Sequence, residues 1–156
     1  MTPASRHEVV AILLESLDRA YDKPGWQGPN LRGSLRGVSW QQARRTIGQR
    51  KSIWQQALHA AYWKQRVLNK LVGTQPFPRR GSNWPSLPAV PSGSGWRDDV
   101  RLLDDIHARL RDAVEQIRPA QLEDPKQVRM ILGIAAHDVY HAGQIRLLRR
   151  LLTDSP

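Results

Sequence analysis

The chain has 156 residues, five histidines, no cysteine and a formal charge of +10. With 40% apolar residues it can bury one core of ordinary size, and no apolar run approaches the roughly 18–20 residues of a membrane helix. Lack of cysteine excludes disulfides, thiolate metal ligands and a cysteine nucleophile, so histidine or carboxylate must carry any metal chemistry. Glu8, Glu15 and Asp18 break the first apolar stretch, unlike a secretion signal, and the expected compartment is the cytoplasm. The positive charge raises nucleic acid or another acidic partner. Yet 19 of the 24 basic residues are arginines scattered along the chain, and even the pairs Arg44-Arg45, Arg79-Arg80 and Arg149-Arg150 form no basic block. Solvated helix faces explain them better than a nucleic-acid surface.

From about Ser5 to Tyr21, Val10, Leu13, Leu14, Leu17 and Tyr21 recur at helical spacing. Pro24-Gly25 ends that helix, and residues 22–38 read as a loop rich in Gly and Pro. Ser39, with Gln42 three positions on, predicts a capping box and a short turn of helix. A long helix follows from about Arg50 to Val72, its apolar face made by Ile53, Trp54, Ala57, Leu58, Ala61, Leu68 and Leu71, with Gly73 as its stop. Residues 73–95 hold five prolines and four glycines around Asn83-Trp84-Pro85. Too few residues lie on either side for two cores, so this is a long surface loop within one domain spanning 1–156. A third helix runs from Trp96 to Ile117, closed by Pro119. Asp124-Pro125-Lys126-Gln127 starts a fourth, with Asp124 as N-cap and Gln127 completing its capping box, and it reaches about Leu152. With no alternating strand pattern, four long antiparallel helices in an all-α bundle are expected.

His137 and His141 stand four apart in the last helix, so their rings point the same way. They continue the apolar stripe Met130, Ile134, Ile145 and Leu148, which aims both at the interior. Two buried imidazoles each need a partner, and one shared metal supplies it. His59 lies midway along the second helix, where a facing helix could bring it to the same point, but Ser52, Gln55, Gln56 and Arg66 flank it and spacing alone favours an ordinary histidine. His7 and His107 read as surface or bundle-edge residues, and Asp138, about 100° round the helix from His137, as a surface residue or a support behind the ligands.

The run His137 to Arg150, HDVYHAGQIRLLRR, resembles the HxxYHxGQI signature of the DinB/YfiT-like superfamily of metal-dependent bundles. Trp26 to Leu31 resembles its W-x-G-P-x-L loop, Ser52 to His59 its SIWELVLH segment, and Asn83-Trp84-Pro85 its Trp-Pro loop. Gln27 departs from the histidine found in many members. The resemblance implies an up-down-down-up bundle with His59, His137 and His141 as three metal ligands. It also implies kinship with thiol-dependent S-transferases and an isomerase, without naming a substrate.

A three-imidazole site suits zinc or nickel, with iron or manganese as alternatives, and its open positions could hold a low-molecular-weight thiol or a water. The resemblance favours a thiol S-transferase acting on a small molecule. The alternatives are a metal-dependent hydrolase and a metal-stabilised, non-catalytic binding protein for an acidic or nucleic-acid partner. No catalytic base is evident; Tyr62, Tyr140 and Gln144 lie one turn from a ligand and are expected to pack. Arg79 and Arg80, beside Trp84, are candidates for the carboxylate of a thiol, against the plainer reading of solvated loop charges. Six tryptophans, several at or in loops (Trp26, Trp84, Trp96), predict an apolar surface and a homodimer.

Overall fold

A computed structural model describes residues 2–153, and seven helices form among them. Four are long: α1 (Pro3–Tyr21), α4 (Ile53–Val72), α5 (Gly93–Glu115) and α7 (Pro125–Thr153). Three are short: α2 (Leu31–Leu35), α3 (Trp40–Arg44) and α6 (Pro119–Leu122). The protein is an all-α bundle with no strand among the described residues.

Local chemistry sets the ends of these helices. Asn30 accepts the Gly33 N–H at 2.7 Å to start α2, a helix inside the segment expected to be loop. Ser39 and Gln42 form the expected capping box of α3. The second long helix begins at Ile53 rather than Arg50, because Ser52 and Gln55 make another reciprocal box. Gly73, at φ 103°, sends its N–H back to the Asn69 carbonyl and stops α4. Asp124 Oδ1 takes the Lys126 N–H at 2.9 Å before α7, but Gln127 does not complete that box; its Oε1 is buried without a partner.

Cross-helix contacts fix the direction of each long helix. Trp54 Nε1 donates to Asp99 and Lys64 Nζ to His107, so α4 and α5 run parallel. Gln56 meets His141 and Lys64 meets Asp138, so α4 and α7 are antiparallel. Tyr21 meets Asp104 and Asp18 meets Arg111, so α1 and α5 are antiparallel too. The order is therefore up-down-down-up, as the resemblance implied, not the all-antiparallel arrangement expected by default for four long helices. Because α4 and α5 are parallel neighbours, residues 73–92 must travel back along roughly 30 Å of bundle. That explains their length.

Two apolar clusters fill the interior. One holds Leu31, Ile53, Trp54, Leu58, Trp96, Leu103 and Ile145, and the other Leu13, Leu17, Leu68, Leu110, Val114 and Ile131. Each fully buried large side chain contributes on the order of 1.5–3 kcal/mol. Between the clusters lies a polar layer. Lys64 and Asp138, both 0% exposed, pair at 2.5 Å, and Lys64 Nζ also donates to His107 Nδ1 at 3.0 Å. His107 stacks on Tyr21, whose hydroxyl donates to Asp104 at 2.5 Å. His107, expected at the surface or the bundle edge, is interior, and Asp138, expected at the surface or as a support behind the ligands, is interior and paired with Lys64. Lys64, from the facing helix, supplies donors to His107 Nδ1 and Asp138 Oδ2, while Asp138 Oδ1 is buried without a partner.

Of the loop tryptophans, only Trp26 is bare, at 95% exposure. Trp96 is buried in α5, where its Nε1 donates to the Val38 carbonyl, and Trp84 lies over a histidine described below.

Burial, then the charges of Lys64 and Arg111, lower the His107 pKa to about 2, against roughly 6.5 in an unfolded chain. Below pH 6.5 the unfolded state therefore takes up a proton that the folded state refuses, and stability falls as pH falls. Between pH 7 and 5 the parent should lose about 2 kcal/mol more than His107→Gln in urea unfolding. Equal losses would show that His107 does not stay neutral in the fold.

Candidate metal centre

Three imidazoles converge between α4 and α7. His59 is on α4, and His137 and His141 are one turn apart on α7. His59 Nε2 and His141 Nε2 each lie 3.1 Å from His137 Nε2, and one nitrogen from each ring lies within 4.8 Å of the others. The edge of a tetrahedral site with Zn–N bonds of 2.0–2.1 Å is about 3.3 Å. The group can hold a metal ion.

Proton placement shows why the arrangement suits a cation. The Asn83 carbonyl can only accept, so at 2.6 Å it fixes the His59 proton on Nδ1. Gln56 Oε1 accepts from His141 Nδ1 at 2.5 Å and does the same there. Both neutral rings therefore turn a bare Nε2 lone pair toward His137. His137 Nδ1 is buried with no protein partner, so this ring alone has no hydrogen bond fixing its tautomer from behind. Burial is the main cause lowering all three pKa values, to about 4 at His137 and about 3 at His141. Each is neutral at pH 7, the form that ligates metal.

The long loop roofs the centre. Trp84 stacks on His59 with ring centroids 3.9 Å apart. Asn83 sits at φ 61°, a left-handed conformation that Asn tolerates better than most residues, and its side chain accepts from Trp63 Nε1 at 2.9 Å. Lys51 lies 5.5 Å over the Trp84 ring, and Tyr140 meets His141 in a T-shaped contact with ring centroids 5.0 Å apart. Arg79 ties the loop to α5: it donates to Asp99, whose other oxygen holds Trp54 Nε1.

The structure thus brings His59, His137 and His141 together. His7 is exposed, and His107 belongs to the Lys64 layer. Arg79 is occupied by Asp99, Arg80 is exposed, and Tyr62 packs on Trp63 and Phe77. Gln56 was passed over as a polar neighbour of His59, although its place one turn before His59 on an inward face was a usable signal. The Asn83 carbonyl leaves no side-chain signature.

Fold and site together define a four-helix bundle with a tri-histidine cluster able to bind metal. A family model of the DinB superfamily matches residues 8–145, and the chain belongs to that superfamily. Comparison with curated proteins and with solved structures finds no match.

Gln56 has a role that can be separated from the ligands. Removing the acceptor behind a metal-bound histidine typically weakens binding by about 10–100-fold. Gln56→Leu should raise the zinc Kd by about that factor in a competition titration while keeping one site per chain. An unchanged Kd would show that the Gln56–His141 bond does not support the site.

Proposed function

We propose that this DinB-superfamily chain is a metal-dependent enzyme of the thiol S-transferase type, with His59, His137 and His141 holding one divalent cation. The observation that supports the metal is the convergence of three neutral imidazoles, two with protons committed elsewhere, beneath an aromatic roof, and the thiol chemistry rests on the family resemblance. The all-nitrogen donor set suits zinc or nickel better than iron or manganese. A cation bound by three protein ligands keeps open positions and acts as a Lewis acid that lowers the pKa of a thiol or water.

The chain's own residues do the rest. The Asn83 carbonyl and Gln56 Oε1 keep protons on Nδ1 of His59 and His141, leaving both Nε2 atoms free to ligate. Trp84 covers the His59 face and keeps water from that side. Arg80, exposed on the same loop, is the one of the two arginines left for the carboxylate of a thiol, because Arg79 already serves Asp99. In the reaction the thiol sulfur bonds to an electrophilic carbon, a leaving group departs with its electron pair, and the thiol proton goes to solvent.

The test is a conjugation screen on untagged, zinc-loaded protein, with low-molecular-weight thiols and alkyl halide or epoxide electrophiles. Thiol consumption should need the metal and be lost in His141→Ala. Turnover that is metal-dependent but indifferent to thiol would replace this reading with a hydrolase. No turnover in either arm would favour a non-catalytic metal protein.

A further inference from the structure

Beside the triad, α4 and α7 leave a groove of about 320 Å³ that reaches His137. Its size falls within the roughly 300–1,000 Å³ typical of small-molecule sites. Trp63, Met130 and Ile134 give it apolar walls, and His137 forms one end of it as well as one corner of the triad. Gly133 adds to its width. A Cβ there would meet no atom within 4 Å, and glycine inside a helix costs about 1 kcal/mol relative to alanine. The room left by the missing side chain belongs to the groove.

The charge along this groove has one sign. Arg66 and Lys70, one turn apart on α4, line it and are exposed, while no carboxylate lines it. Neither cation pairs with an acidic side chain among the described residues. Trp63 lies on the same face of α4 and also donates to Asn83, whose carbonyl holds His59, so the wall of the groove and the roof of the triad are mechanically joined.

We propose that this groove admits the substrate to the triad, and that the substrate is an amphipathic organic anion. Its apolar body would lie against Trp63 and Met130, its carboxylate, sulfonate or phosphate on Arg66 and Lys70, and its other end at His137. Calling the occupant a substrate rests on the catalytic reading above; the binding itself does not.

The test is therefore a binding measurement on the zinc-loaded protein, with zinc content measured alongside. The probe is 1-anilinonaphthalene-8-sulfonate, and its uncharged counterpart is N-phenyl-1-naphthylamine. The parent should bind the sulfonate about tenfold or more tightly than the amine. Gly133→Leu, which favours the helix while filling the groove, should weaken both about tenfold or more at unchanged zinc content. Arg66→Ala/Lys70→Ala should weaken only the sulfonate. Unchanged sulfonate affinity in Gly133→Leu would overturn the groove as the site, and equal parent affinity for the two probes would overturn the anionic class. Loss of zinc uptake with probe binding intact would instead count against the metal reading and leave the groove standing.

Discussion

Two imidazole nitrogens with bare lone pairs, His59 Nε2 and His141 Nε2, are held 3.1 Å from a third imidazole in the interior of the bundle. Neutral rings so arranged cannot all satisfy one another, since at most one shared proton lies between them. A divalent cation would resolve the conflict, with all three rings free to ligate it. The register of α4 against α7 is set to hold this geometry. On one side Gln56 fixes His141, and on the other Lys64 reaches Asp138 beside His137. Breaking such a buried ion pair typically costs about 3–5 kcal/mol, so the register is not easily lost.

The topology supplies the remaining wall. Parallel α4 and α5 require a connection along the length of the bundle, and a segment of that length passes the triad midway. Asp99 anchors it through Arg79, and Asn83 and Trp84 then reach His59 from the loop side. The proline-rich composition that marks residues 73–92 as irregular thus belongs to a strap that both closes the fold and shapes the centre. Beside this roof, a groove lined by Trp63 and Gly133 reaches His137.

Much of this was legible in the chain. Apolar periodicity located all four long helices, and capping residues located several of their ends within a few positions. The i, i+4 spacing identified His137 and His141, but His59 needed the family resemblance, because its polar flanks suggest a surface. Those flanks were misleading for a physical reason: Gln56 is buried as an acceptor for His141. His107, and Asp138 in its surface reading, misled in the same way. A charged residue beside an apolar stripe reads as exposed unless its partner is known, and that partner, Lys64, is remote in sequence and looks like any surface lysine. The direction of α4 relative to α5 left no periodic trace, since parallel and antiparallel neighbours bury the same stripe. The hydrogen bond from His59 to a backbone carbonyl left none either.

The central claim is that one cation belongs to these three rings. Its most direct measurement is the metal content of untagged protein, purified without a nickel column and resupplied with zinc, compared with His59→Ala, His137→Ala and His141→Ala. One equivalent per chain in the parent and a small fraction of that in each folded variant is the result predicted. A parent that takes up no zinc, or variants that retain a full equivalent, would contradict it.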